Sequence, residues 1–138
     1  MDGHDKLAAY GISIYAAIDA HSRKILWVYV GPANRVKVSI LMQYLRAVLA
    51  LGRCPRRIRT DRGGETVLMA EAQYSLYSAH KQAEGWTSTQ IKQIQLRDCY
   101  WYGSSPANQR IESFWLRLII SQTNPWMVCC QNLGRQPC

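Results

Sequence analysis

The chain has 138 residues, 48% of them hydrophobic, enough for one domain with a real core and too apolar for a disordered chain. Seventeen Lys and Arg against nine Asp and Glu leave a net charge of +8, which favours polyanionic partners, nucleic acid first. Five Cys without a C-x-x-C pair, and three scattered His, support neither a zinc site nor a disulfide framework. No stretch is apolar and long enough to span a membrane, and "MDGHDKLAAYG" lacks the apolar segment of a signal peptide.

Taken in chain order, "DGHDKL" offers a first short strand. "GISIYAAID" (11–19) and "KILWVYV" (24–30) are rich in β-branched and aromatic residues and are joined by "AHSR", a loop of hairpin length. Both read as antiparallel strands with both faces covered. "GPAN" breaks the chain, with Asn34 as an N-cap, and a helix follows whose face is Val38, Leu41, Leu45, Val48 and Leu49. Gly52 and Pro55 end it. "RRIRTD" (56–61) is a strand running into the turn "RGGE", and a second helix covers 67–80. Residues 82–93 are polar and weakly patterned, an insertion loop with one turn of helix. "DCYWYG" (98–103) is an aromatic strand. Ser105 as N-cap and Pro106 at the first helical position open a last long helix. The order β-β-β-α-β-α-β-α predicts one mixed α/β layer domain.

Three acids fall where such a domain builds sites. Asp61 ends a strand before a tight turn, and Asp2 lies on the proposed first strand. Glu112 flanks the apolar stripe of Ile111, Trp115, Leu118 and Ile119 on the last helix. Converging carboxylates repel unless a cation binds, and an all-oxygen set suits Mg²⁺ or Mn²⁺. A blander reading stays open here: Glu112 complements the helix dipole or pairs with Arg110 or Arg117. Asp5 and Asp19 compete for the first-acid role.

Four segments resemble the integrase core, the DDE catalytic domain of retroviral integrases and transposases, and most nearly its eukaryotic transposon-derived type. "DGHDKL" is similar to the first-Asp segment and "AAIDAHSRKILWVYVG" to the second and third strands. "IRTDRGGET" resembles the second-Asp strand and turn, and "YGSSPANQRIESFW" the segment with the catalytic Glu. The resemblance runs from Asp2 to about Leu133. It implies an RNase H-like α/β fold with a mixed central sheet of about five strands flanked by helices. Only Met1 precedes Asp2, so the first strand is expected to be truncated. Residues 1–138 are expected to form a single core domain, incomplete at both ends.

Carried over by motif, Asp2, Asp61 and Glu112 are the implied catalytic and metal-binding acids, holding two Mg²⁺ or Mn²⁺ ions. Asp19 is then structural. The gap between Asp61 and Glu112 exceeds that of retroviral integrases, and the excess falls around 82–93. DNA is the implied partner, the location intracellular and nuclear, and a homo-oligomer is allowed. Arg59, Arg62, Arg110 and Arg117, with Asn108 and Gln109, are the expected nucleic-acid contacts; a solvated charged face is the alternative. Trp27, Trp101 and Trp115 read as core. The expected function is metal-dependent phosphodiester strand transfer in DNA integration. The alternative is a catalytically inactive, domesticated or decaying module that binds nucleic acid by charge.

Overall fold

The computed structural model describes residues 1–4, 7–32, 36–61, 63–103 and 109–133. Among the described residues five strands form, but in two sheets. Strand β1 (Asp2–His4) pairs antiparallel with β2 (Ile12–Ile18), and β2 pairs antiparallel with β3 (Ile25–Pro32). Strand β4 (Ile58–Thr60) pairs in parallel with β5 (Tyr100–Tyr102). The expected single mixed sheet of about five strands is therefore corrected to three strands plus two. The physical reason lies at the junction. Strand β1 is three residues long, and among the described residues a bond from this end to β4 is the one Met1 donates from its α-amino group to the Arg59 carbonyl, at 2.8 Å.

Buried side chains nonetheless bridge the two sheets. Helix α1 (Val36–Leu51) and helix α2 (Val67–Ala83) lie on one face. There Tyr15, Ala17 and Trp27 of the first sheet meet Ile58 and Tyr100 of the second, sealed by Ile40, Tyr44, Met69 and Ala70. On the other face, Ile14 and Ala16 meet Ile111 and Trp115 of helix α5 (Gln109–Leu118). Successive residues of β2 point to opposite faces, so the strand is covered on both sides, as its composition predicts. Strand β3 differs from that expectation. It is an edge, and Leu26, Val28 and Val30 stay exposed, Val30 at 63%.

Helix α1 corrects the predicted face in part: Leu41, Leu45 and Val48 pack against the core as expected. Val38 and Leu49 are exposed, Leu49 at 80%, while Ile40 and Tyr44 are fully buried. "VKVSILMQYLRAVLAL" is apolar nearly all round, so a 3.6-residue period fits more than one phase. Polar bonding accompanies the phase that forms. The Tyr44 hydroxyl donates to Gln73 Oε1, Cys54 Sγ donates to the same oxygen at 3.2 Å, and Gln73 Nε2 donates to the Pro55 carbonyl at 2.7 Å. Gln73 is fully buried, and this network ties α1, α2 and the approach to β4 together. Gly52, at φ +61°, ends α1 in the left-handed conformation that glycine tolerates.

Residues 82–93 are more helical than expected. Helix α2 runs to Ala83, and Thr87 with Gln90 forms a capping box that starts α3 (Ser88–Lys92). A further turn, α4 (Leu96–Cys99), leads into β5. Ser105 and Pro106 lie outside the described residues, as does Asn34. After α5 the helix widens into a π turn (Ile119–Thr123) and continues as α6 (Asn124–Leu133). Pro125 supplies the reason: it has no N–H to donate, and its ring opposes the Ser121 carbonyl. No helix among the described residues is long and apolar enough to cross a membrane.

Candidate active site

The turn after β4 is held from several sides. The Thr60 hydroxyl donates to the Asp61 carbonyl at 2.9 Å and shares a 3.0 Å bond with the Tyr100 hydroxyl. The Thr66 hydroxyl donates to the Gly63 carbonyl at 3.0 Å. Gly103 N donates to the Thr60 carbonyl at 2.8 Å, extending the pairing of β4 with β5. Burial pushes the Tyr100 phenol up to about 12, so it stays a neutral partner for Thr60. Asp61 follows directly, half-buried, and its Oδ1 is buried without a hydrogen-bond partner among the described residues.

Asp2 arrives at the same edge from the other sheet. Its carboxyl is held above the usual carboxylate range, first by burial and then by the negative charge of Asp61. The Gly3 N–H, donated at 3.0 Å, the Met1 amino group and the Trp115 indole oppose that shift. The α-amino group of Met1 is itself pushed down by burial, while Asp2 and Asp61 pull it up. Asp2 and Asp61, from separate sheets, therefore share one electrostatic environment.

Glu112 is half-buried in the first turn of α5, three residues before Trp115. Trp115 and Ile111 anchor this helix on β2, and the Trp115 indole meets Asp2. The helix bearing Glu112 is thus fastened beside the Asp2 carboxyl. Among the described residues, no three His, Cys, Asp or Glu side chains sit together in cation-binding geometry. Asp19 lies in the β2–β3 turn, where its carboxylate accepts from the Ser22 N–H at 2.8 Å and from the Ser22 hydroxyl. Those bonds hold its pKa below the usual range.

Two groups at this edge carry no signal as site residues in the sequence. Tyr15 of β2 is opposite Gly3, and its ring lies against that glycine; a Cβ there would meet the ring at 3.1 Å. The Tyr15 hydroxyl is buried without a hydrogen-bond partner among the described residues. Burial raises its pKa far above that of an ordinary phenol, helped by the charges of Asp61, Glu65 and Asp2. Glu65 folds its carboxylate back over Gly63, in space that a side chain at Gly63 would occupy. A tyrosine inside an apolar strand reads as core, and a glutamate in a Gly-rich turn reads as solvated. Neither reading reveals that the charge of Glu65 acts on Tyr15 together with those of Asp61 and Asp2.

The expected nucleic-acid contacts are described unevenly. Arg59 is exposed on β4, its guanidinium lying where a side chain at Gly103 would be. Arg117 is exposed on α5. Arg62 and Asn108 lie outside the described residues, and the side chains of Gln109 and Arg110 do as well. Trp27 and Trp115 are core as expected. Trp101 is not: it is 45% exposed, with the Arg57 guanidinium 4.9 Å from its ring centre. A separate cavity of about 440 Å³ lies by α3, lined by Arg57, Tyr77, Trp86, Gln90 and Asp98 among others. Its acid, Asp98, already accepts from Gln95 N at 2.8 Å as the cap of α4.

The donor set at the Asp2–Asp61 edge is oxygen only and carries negative charge that burial disfavours. Those properties fit a hard divalent cation better than an empty pair of carboxylates. Sites in layered α/β domains are built at strand ends, and that is where Asp2 and Asp61 lie. The family model for the integrase core domain matches residues 1–136, and the chain belongs to that family. Membership carries the RNase H-like α/β fold, and integrase core domains generally use divalent metals. No curated protein and no solved structure gave a match.

Proposed function

We propose that the domain is a divalent-cation-dependent transferase that cuts and joins DNA phosphodiesters, with Asp2, Asp61 and Glu112 as its carboxylates. One observation carries this reading: acids from two separate sheets meet at one edge, and Asp61 keeps a buried oxygen without a partner among the described residues. A pair of Mg²⁺ or Mn²⁺ ions bound there supplies charge stabilisation to the attacking and leaving oxygens of a phosphoryl displacement. The chain's own residues do the rest. Asp2 and Asp61 fix negative charge at the strand ends. Glu112, on a helix fastened by Ile111 and Trp115, orients the nucleophile from the side. Arg59 and Arg117, with Arg62, Arg110, Asn108 and Gln109, hold the DNA backbone, arginine doing so through paired N–H donors.

The test is nicking and strand transfer on duplex DNA with Mn²⁺, comparing the wild type with Asp61→Asn and Glu112→Gln. Loss of activity in both variants, with duplex binding retained, is the expected result. Equal activity in all three proteins sinks the assignment. Duplex binding that is metal-independent, falls steeply with salt and is never followed by cleavage would instead identify a non-catalytic DNA-binding module.

A further inference from the structure

The end of β4 away from Asp61 carries a second set of chemistry-bearing groups. Strands β4 and β5 are parallel, so Arg57, just before β4, and Asp98, two residues before β5, lie at the same end of the pair. Both line the cavity of about 440 Å³, together with Tyr77 and Trp86 among others. That volume falls in the range of small-molecule sites, about 300–1,000 Å³. Two tryptophans here stay in solvent, Trp86 at 39% and Trp101 at 45%. Each has a cation set on its ring. The Lys81 ammonium is 5.0 Å from the Trp86 ring centre and 5.6 Å from that of Tyr77. The Arg57 guanidinium is 4.9 Å from that of Trp101. The rings are also held from behind. The Trp101 indole donates to the Arg97 carbonyl, and Trp86 N donates to the Lys81 carbonyl at 3.1 Å. An indole gains most by leaving water, yet these two remain in it with positive charge alongside. Exposed rings interleaved with cations suit a single-stranded nucleic acid, whose bases stack on the rings while its phosphates meet the cations. Lys81 is shared with Glu84 at 2.6 Å, so the phosphate contact falls to Arg57.

We propose that this cavity holds one unpaired nucleotide of a single-stranded nucleic acid. Its base lies against Trp86 and Tyr77, and its phosphate meets the Arg57 guanidinium through paired N–H donors. The strand continues over Trp101, which offers the next stacking surface. Asp98 is held in place by the Gln95 N–H, and its carboxylate has further lone pairs to accept from a base amino group. Cytosine carries such a group and thymine does not. The site uses none of Asp2, Asp61 and Glu112, needs no divalent cation and stands independently of the transferase reading.

The experiment follows the fluorescence anisotropy of end-labelled oligodeoxycytidylate and oligodeoxythymidylate with the full chain in EDTA. It compares wild type, Trp86→Leu and Arg57→Gln, with a melting temperature for each. Wild type should bind the cytidylate strand more tightly than the thymidylate strand. Trp86→Leu keeps apolar bulk and loses the stacking face, and should weaken that binding about 5- to 100-fold at an unchanged melting temperature. Arg57→Gln should lower the slope of log affinity against log salt by about 0.7. A duplex of the same length should respond far less to Trp86→Leu, because its bases are already stacked on one another. Equal affinity of wild type and folded Trp86→Leu for the cytidylate strand overturns the site. An equal loss on duplex shows general charge attraction and overturns it as well. Thymidylate bound as tightly as cytidylate overturns the base contact assigned to Asp98. Free deoxycytidine monophosphate bound as tightly as the oligonucleotide overturns the single-strand assignment in favour of a free nucleotide. If Trp86→Leu melts well below wild type, Trp86→Tyr decides: it keeps an aromatic face, so restored binding supports the site and lost binding in a folded protein overturns it. Mn²⁺-dependent nicking stands or falls separately from all of these outcomes.

Discussion

The two faces of the strands are packed to different depths. Among the described residues, ten buried ones on the α1–α2 face form one cluster that spans both sheets, and the Tyr44–Gln73–Cys54 network joins its helices. On the α5 face the corresponding cluster has five of the described residues, while Leu116, Ile120, Trp126 and Val128 of the same long helical segment remain exposed. Asp61 leaves β4, a strand rooted in the deep cluster through Ile58. Glu112 rides on a helix held mainly by Ile111 and Trp115. The rigid partner and the adjustable partner of the proposed site are therefore built on unequal foundations, and local opening should follow that inequality.

The largest effect should come from the deep face. Met69→Ala removes a fully buried side chain and should cost about 2–5 kcal/mol, read as one cooperative transition in denaturant. Loss confined to α2, with the strands still protected, would break the comparison. Ile111→Ala, on the other face, should lose less, about 2 kcal/mol. Its signature is faster amide exchange across 109–133 while α1 and α2 keep their protection. Uniform loss of protection would show that the two faces unfold as one.

A smaller effect tests the acids between the faces. The Asp2 carboxyl is raised in the folded protein, so the folded state holds that proton more tightly than the unfolded state. Stability linked to Asp2 is thus full below the ordinary value of 3.8 and is lost as pH rises through its raised folded value. Asp2→Asn should stabilise the metal-free protein at neutral pH by less than about 1 kcal/mol, because water screens a half-exposed group. The gain should vanish in acid and reverse in saturating Mn²⁺. The smallest effect belongs to Asp19, whose carboxyl is lowered by the Ser22 hydroxyl and N–H. Its contribution is present above 3.8 and fades as pH falls through its lowered value. Ser22→Ala should blunt that acid-side slope in a melting-temperature profile and leave neutral-pH behaviour almost unchanged.

Much of the fold was legible because its signals are local. The β-branched runs of β2 and β3, the break at Gly52 and the strand before Asp61 all follow from residue chemistry within a few positions. What stayed hidden depends on tertiary partners. The phase of α1 could not be read from a helix apolar on most sides. The split between β1 and β4 depends on how few backbone groups meet there. The capping box of Thr87 and Gln90 was readable in "TSTQ" but was submerged in a polar stretch. At the site, Asp2 and Asp61 were legible as an acid pair. The place of Tyr15 beside them was not, because it depends on a ring crossing a neighbouring strand at Gly3.

The π turn before Pro125 acts as gearing in the long helical segment. Asn124 N bonds back five residues to the Ile119 carbonyl, so the segment carries one residue more than an α-helix of the same rise. At roughly 100° per residue, that extra position rotates everything beyond it about a quarter of a circle. Met127 packs on the cluster of Ile111 and Trp115, while Trp126 and Val128 on either side of it face outward. Removing one residue between 119 and 123 would disengage that gearing and swing Trp126 or Val128 toward the position Met127 holds. Glu112 lies upstream of the gear on α5, so the start of the helix, with Ile111 and Trp115 on their cluster, would be untouched while the far end of the segment turned.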